Sequence, residues 1–328
     1  MRIVIYGAGA VGGVIGARLH DRGYDVALIA RGEHLDALVS RGLELVTPTG
    51  RSRHEIPAYG HPREVGLGPT DVVLLTTKTQ HTIAALEDLR GCGVDPPIFC
   101  AQNGVANERM AARRFSRVYA MLVWLPATFL EPGRVIGYSS PNSGLLDAGC
   151  YPSGTDDVVR EVTGMLDSSR LVARPTPDIL RWKYYKLLGN LRNALIATLG
   201  RDVDTEDLPA RLRAEAIAVY EAAGIDWVPE DVEAERRNHA DMKVSMIEGE
   251  PPLMGSSWQS LTRGGSIETD YLNGEIVLQG RLHGVATPVN RALQVAANRL
   301  AREGGKPGDL SLAELRSLVD EYDSPGAA

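Results

Sequence analysis

Seven residues near the start, Gly-Ala-Gly-Ala-Val-Gly-Gly, constrain the fold of this chain more than any other stretch. Before them, Ile3-Val4-Ile5-Tyr6 is a short apolar run with β-branched residues, suited to a buried parallel strand. Gly7, Gly9 and Gly12 fall in the G-x-G-x-x-G spacing, within a loop that includes Ala10 and Val11. The following VGGVIGARLHDRG reads as a helix ending near Gly23, and DVALIA as a second strand. Strand, glycine turn, helix and strand within about thirty residues is the context of a dinucleotide-binding turn. One glycine allows a sharp turn, the second lets backbone approach a pyrophosphate, and the third lets helix pack on strand. The helix N-terminus adds N–H groups and a positive dipole end. The alternative is a glycine-rich turn that holds nothing.

The tip of the second strand bears on which dinucleotide. An Asp or Glu about 20 residues past the glycines would bind a ribose 2′-hydroxyl. Here the strand ends Leu28-Ile29-Ala30-Arg31, and the arginine suits a 2′-phosphate. Glu33 competes but lies beyond the turn. The expected cofactor is therefore NADPH, with Arg31 as a solvated loop charge the plainer account.

The 328 residues suggest two domains. LELVT, RHEIPAYG, DVVLLTTK, PIFCAQNG and RVYAMLVWLPA read as strands between helical segments such as HTIAALEDLRG. Alternation of this kind predicts an α/β doubly wound, mostly parallel sheet. PATFLEPGRVIGYSS reads as a hairpin turning at Glu131-Pro132-Gly133 and extending that sheet. DDVVREVTGMLDSSR is one more helix. From about Asp178 the pattern is helical, starting with the long apolar DILRWKYYKLLGNLRNALIATLG. Ser266 and Thr287 are expected N-caps, with Pro288 at the first helical position. The expected division is 1–174 for the cofactor and an all-helical 175–328 for the substrate, with a ligand at the carboxyl ends of the strands.

Composition excludes some classes. A formal charge of −7 with no basic tract argues against a nucleic-acid partner. No apolar run is long enough to span a membrane, and no basic-then-apolar leader opens the chain. Cys92, Cys100 and Cys150 lack ligand spacing and fit a reducing, cytoplasmic compartment. The seven His residues do not cluster, so no metal site is expected. DSPGAA looks like a frayed tail.

Two strand exits carry polar residues. Lys78, in Thr-Thr-Lys-Thr-Gln, would face phosphates or an anionic substrate, or is simply a surface lysine. Asn103 follows PIFC in Gln-Asn-Gly, and Asn-Gly is a turn signal in its own right. In the long helix, Lys183, Lys186, Asn190 and Asn193 are three, four and three apart and form one polar stripe. With Tyr184 and Tyr185 beside them they suit a cleft lining. Carbonyl reduction needs a proton donor, and a lysine in a partly dry cleft is one. Glu268 reads as a first-turn carboxylate, favoured by the helix dipole or used in the site. Ser256 and Ser257 can cap a helix or bind substrate.

Taken in order, GAGAVGG, LIARGEHL, TTKTQ, QNGV, the K-L-x-x-N of Lys186 to Asn190, and SSWQSLTRGGSIETDYLNGEIV with HGVATPVN resemble the ketopantoate reductase family. The resemblance runs from the first strand to about Leu293. It implies a Rossmann-type domain with a second, all-helical domain, and NADPH-dependent reduction of 2-dehydropantoate to pantoate on the way to pantothenate and coenzyme A. It makes Lys186 the general acid and Glu268 the substrate-site glutamate, counted also among the cofactor residues. It assigns Asn103, Asn190 and Ser256 to the substrate, and Gly7, Gly9, Ala10, Val11, Gly12, Arg31, Lys78 and Asn103 to the cofactor. The partner is a small 2-oxo acid, and a homodimer is left open. Two positions depart from the family pattern. Ala194 stands where a second asparagine is common, with Asn193 displaced by one, and PPLMG replaces an asparagine-bearing stretch before the serines.

Rival readings are a β-hydroxyacid dehydrogenase acting on another acid and a non-catalytic NADP-binding sensor. The first group usually has an S-G-G loop where this chain has Gln102-Asn103-Gly104. A sensor has no need of both Lys186 and Glu268.

Overall fold

A computed structural model describes residues 1–324, so the end of the tail expected to fray lies outside the described residues. Backbone contacts group the chain into two units. One holds Met1–Lys183 and Val228–Leu253; the other holds Tyr184–Trp227 and the chain from Met254 on. The single boundary expected after residue 174 thus falls at Lys183, and a later segment returns to the first unit.

The first unit runs β1 (Ile3–Tyr6), α1 (Ala10–Asp21), β2 (Val26–Ile29), α2 (Gly32–Arg41), β3 (Leu43–Thr47), β4 (Gly50–His54), β5 (Ala58–Tyr59), α3 (Pro62–Val65), β6 (Val72–Leu75), α4 (Thr82–Arg90), β7 (Ile98–Cys100), α5 (Asn107–Ala112), β8 (Val118–Met121), β9 (Ala127–Thr128), β10 (Arg134–Gly137), β11 (Ser139–Pro141), β12 (Gly144–Leu145), β13 (Ala148–Cys150), α6 (Asp157–Asp167) and β14 (Leu171–Val172). The main sheet has the order β13-β8-β7-β6-β1-β2-β5, parallel except for β13. Side chains alternate across it. Ile3, Ile5, Leu28, Leu74 and Phe99 join one core with α1 and α6 residues; Val4, Tyr6, Ile29, Val73 and Cys100 join another with α4 and α5 residues. Apolar side chains on both faces need helices on both faces. From β1 the chain builds outward to β2 on one side and later resumes at β6 on the other. The strand order therefore switches between β1 and β6, where such sheets bind ligands.

The hairpin forms as expected, pairing Ile136 with Thr128, but it does not extend the main sheet. It belongs to a separate sheet, β4-β3-β10-β9, in which β10 runs parallel to β3. RHEIPAYG is likewise two strands: β4 ends in this sheet and β5 edges the main one. The cause is Thr47-Pro48-Thr49-Gly50, which folds LELVT back on a largely exposed strand, GRSRH.

Helix α7 (Ile179–Asn190) carries the chain into the second unit, followed by α8 (Arg192–Leu199) and α9 (Leu208–Ala223). The returning segment holds α10 (Glu230–Asn238) and β15 (Met242–Val244), which pairs with β11. Charges tie it down. Arg236 grips the buried Asp147 with two bonds of 2.8 and 2.6 Å, and the Glu250 carboxylate accepts from Arg51 and Arg134.

The second unit continues with α11 (Ser256–Thr262), α12 (Asn273–His283), α13 (Pro288–Arg302) and α14 (Leu312–Asp323). Its described elements are helical, around Leu195, Leu212, Leu261, Val289, Leu293 and Leu315. The long expected helix is broken only at Leu191. Ser266 is not the N-cap residue of the helix: a 3₁₀ turn, Thr269–Tyr271, comes first, and α12 starts at Asn273. Thr287 does precede α13, with Pro288 at its start, but its side chain makes no cap. Glu215 of α9 takes that role, accepting from the N–H groups of Val289 (2.8 Å) and Asn290 (3.0 Å).

Candidate active site

The glycine loop leaves β1 at the switch in strand order. Gly7 has φ +111°, and a Cβ there would lie 2.9 Å from Thr77 N. At Gly12 a Cβ would meet Gly7 O at 2.3 Å and Thr76 Oγ1 at 2.5 Å. The fold itself thus requires glycine at both. Gly9 differs: its backbone is extended, and a Cβ would find nothing nearer than Phe129 at 4.0 Å. The fold leaves the backbone of Gly9 open to the approach of an outside group. Helix α1 then starts with no side-chain cap and no acid in its first turn, so the amides of Ala10, Val11 and Gly12 suit an anion. The loop fits a pyrophosphate.

His34 braces this loop. Its Nδ1 accepts from Gly133 N at 2.9 Å, which leaves Nε2–H to donate to Ala8 O at 2.8 Å. Burial holds its pKa below the ordinary histidine value, which keeps this neutral tautomer. Arg31 precedes α2, and its Nη2 donates to Asp88 Oδ2 (3.0 Å) and to the Tyr6 hydroxyl (3.2 Å). Glu33 sits in the first turn of α2.

Lys78 and Asn103 lie on the loops after β6 and β7, both half-buried. One polar network locks these loops together. Gln102 Nε2 donates to Thr77 O (2.7 Å) and Thr82 Oγ1 (2.8 Å); Thr82 donates to Asn107 Oδ1 (2.8 Å). Asn107 Nδ2 donates to Asn103 O (3.1 Å) and Thr79 Oγ1 (3.3 Å). Gly104, at φ +76°, completes the Asn-Gly turn. The charged anchor is Lys183, 4% exposed, which donates to Gln102 O (3.1 Å) and pairs with the fully buried Glu108. Lys183 therefore leaves the expected polar stripe: it is a buried ion pair, whereas Lys186, Asn190 and Asn193 are half-buried.

In the second unit, Lys186 and Asn190 lie on α7, Ser256 opens α11, and the buried Glu268 precedes the 3₁₀ turn. Asn190 Oδ1, Ser256 Oγ and Ser257 Oγ are buried and find no hydrogen-bond partner among the described residues. Asn193 abuts the start of α11: its Oδ1 lies 3.2 Å from where a Cβ on Gly255 would be. The displaced asparagine therefore still sits beside the serine pair.

Sequence reasoning missed Glu108, His34 and Asp88. Only His34 had a local signal, its place in LIARGEHL; the other two act through partners distant in the chain. Among the described residues there is no group of three or more His, Cys, Asp or Glu able to hold a metal. None of the described helices is long and apolar enough to cross a membrane.

Comparison with known proteins follows the same lines. A family profile described as ketopantoate reductase PanE/ApbA matches residues 3–146, and one for the PanE/ApbA C terminal matches 178–301. A 2-dehydropantoate 2-reductase of Pyrococcus horikoshii is 27% identical over 93% of this chain and 99% of its own length. The crystal structure of a PanE/ApbA family ketopantoate reductase from Ralstonia eutropha superposes with a TM-score of 0.77 at 25% identity, covering 93% of this chain and 99% of the other. A D-mandelate dehydrogenase, solved with NADH and anilino(oxo)acetate, shares the fold with a TM-score of 0.76 at 23% identity and the same coverage.

Proposed function

The chain belongs to the ketopantoate reductase family, and on that premise we propose that it reduces 2-dehydropantoate to pantoate with NADPH, a step toward pantothenate and coenzyme A. The first unit holds the dinucleotide, through the amides of Gly7 to Gly12, Arg31, Lys78 and Asn103; the second binds the acid. When bound, the nicotinamide supplies the hydride to the carbonyl carbon. Lys186 gives its proton to the carbonyl oxygen as the alcohol forms. Glu268 and Asn190 take the substrate hydroxyl, and Ser256 takes the carboxylate.

The observation that carries this reading is the pair of orphaned oxygens on Asn190 and Ser256, in the unit that also holds Lys186 and Glu268. A buried polar atom without a partner costs about 1–3 kcal/mol, and a polar substrate would remove that cost. Steady-state rates with NADPH on 2-dehydropantoate, 2-oxoisovalerate and bulkier 2-oxo acids test it. Preference for 2-dehydropantoate supports the reading. Preference for an acid without the hydroxyl sinks that substrate and leaves a reductase of another 2-oxo acid. Absence of turnover with every acid sinks the reaction. Equal use of NADPH and NADH, unchanged by Arg31→Ala, sinks the cofactor preference.

A further inference from the structure

Beside the glycine loop, three residues from separate elements converge: Tyr6 at the end of β1, Arg31 beyond β2, and Asp88 in the last turn of α4. A single carboxylate oxygen, Asp88 Oδ2, accepts from the Tyr6 hydroxyl at 2.6 Å and from Arg31 Nη2 at 3.0 Å. The other oxygen lies 3.6 Å from His61 Nε2. Tyr6 is kept protonated, because burial and then its bond to Asp88 raise its pKa well above the ordinary tyrosine value. The guanidinium is thus held at one corner. Both of its hydrogen bonds leave from Nη2. The Nη1 and Nε groups make no hydrogen bond among the described residues, and the side chain is 65% exposed. A guanidinium fixed at one nitrogen, with the N–H groups of the other two open, is arranged to donate to an oxyanion.

We propose that Asp88, seconded by Tyr6, is a positioning residue that sets the preference for a 2′-phosphorylated dinucleotide by holding Arg31 ready for that phosphate. The proposal rests on the cofactor reading above. Two effects of Asp88 oppose each other. Its charge repels a phosphate, but the carboxylate is partly exposed and its charge already meets Arg31, so the repulsion is screened. Its grip removes the need to order a long, flexible side chain when the ligand arrives, and pre-organisation of that kind raises affinity. The second effect wins in this geometry, because one oxygen fixes both the arginine and the tyrosine that abuts it.

The test is titration of the full chain with NADPH and with NADH, following nicotinamide fluorescence, beside thermal unfolding. The 2′-phosphate is what separates the two ligands, so the ratio of their Kd values reports on Arg31 and not on general damage. Asp88→Ala is expected to raise Kd for NADPH about five- to tenfold and leave NADH nearly unchanged. Tyr6→Phe should act in the same direction but less, and Asp88→Asn, which keeps an acceptor, should fall between. Tighter NADPH binding by Asp88→Asn would overturn the proposal and make Asp88 a repelling group. Equal changes for both ligands would overturn it too, as mere structural loss. Wild-type binding of neither dinucleotide, or no loss of preference in Arg31→Ala, sinks the cofactor reading and this role with it. A loss of preference in Arg31→Ala that Asp88→Ala does not share sinks this role alone.

Discussion

Two groups of buried polar side chains in this protein are built on opposite plans. In the first unit, Thr79, Thr82, Gln102, Asn107, Glu108 and Lys183 bond to one another and to loop carbonyls. Each joins the network through at least one bond, even though Gln102 Oε1 and Glu108 Oε2 find no partner among the described residues. In the second, Asn190, Ser256 and Ser257 bury side-chain oxygens that bond to nothing among the described residues. A network that spends its hydrogen bonds internally fixes loop shape and has little left for a ligand. Oxygens left over cost stability and are available to one. The first group is scaffold for the loops bearing Lys78 and Asn103; the second, under the function proposed above, would receive the 2-oxo acid.

Two lysines one turn apart on α7 put that contrast to its hardest test. Lys183→Met leaves the Glu108 carboxylate buried and unpaired, and should destabilise the fold by about 3–5 kcal/mol, read by urea unfolding. Adding Glu108→Leu should return most of that loss, since a buried ion pair is often replaceable by apolar groups. Lys186→Met should leave the unfolding midpoint nearly in place and lower turnover by roughly 10²–10⁴. A stable Lys183→Met, or a Lys186→Met that turns over normally, would exchange the roles of the two lysines.

Within the network, Thr82→Val keeps the shape but deprives Gln102 Nε2 of an acceptor and Asn107 Oδ1 of a donor. Both are buried, so a loss of about 1–3 kcal/mol is expected. Dinucleotide affinity should weaken with it, because Asn107 also holds the Asn103 carbonyl. Unchanged unfolding would mean that the network is ornamental.

The two groups were not equally legible in the sequence. Gly7 and Gly12 stand in a spaced motif and Lys186 and Asn190 recur at helical period, so spacing brings them forward, whereas Glu268 is singled out only by the family resemblance; the alternation of strand and helix reveals the sheet. The scaffold lies hidden because its bonds join residues far apart. Lys183 meets Glu108 across 75 positions, and nothing local in Asn-Glu-Arg-Met announces a buried carboxylate. Helical period therefore assigned Lys183 to the same stripe as Lys186, when tertiary pairing separates them. The second sheet was missed for the same reason. β10 pairs with β3, about ninety residues earlier, and hydropathy does not encode such a partner.

A smaller effect concerns the histidine that braces the glycine loop. His34 holds Ala8 O and Gly133 N only in its neutral form, and its pKa is lowered by burial. The unfolded chain therefore takes up a proton before the folded one does. Stability from this residue is complete above the ordinary histidine pKa and is lost as pH falls through the lower folded value. Unfolding midpoints between about pH 7.5 and 5 should decline, and less steeply in His34→Gln. A decline of equal slope in that variant would mean that His34 takes no part.

The smallest expected change in stability is also the most telling, because it comes from the proposed substrate site. Ser256→Ala removes a buried hydroxyl that has no partner among the described residues. Removing such a group restores no broken bond and relieves a desolvation cost, so stability should stay within about 0.5 kcal/mol or rise slightly. If Ser256 Oγ receives the substrate carboxylate, the same variant should lose about ten- to a hundredfold in kcat/KM, since a hydrogen bond to a charged group contributes about 1.5–3 kcal/mol. The loss should appear mainly in KM for the 2-oxo acid and leave dinucleotide affinity alone. Stability and activity would then move independently at Ser256, whereas they move together at Thr82. A Ser256→Ala protein that unfolds early would assign this hydroxyl to the scaffold and erase the distinction between the two groups.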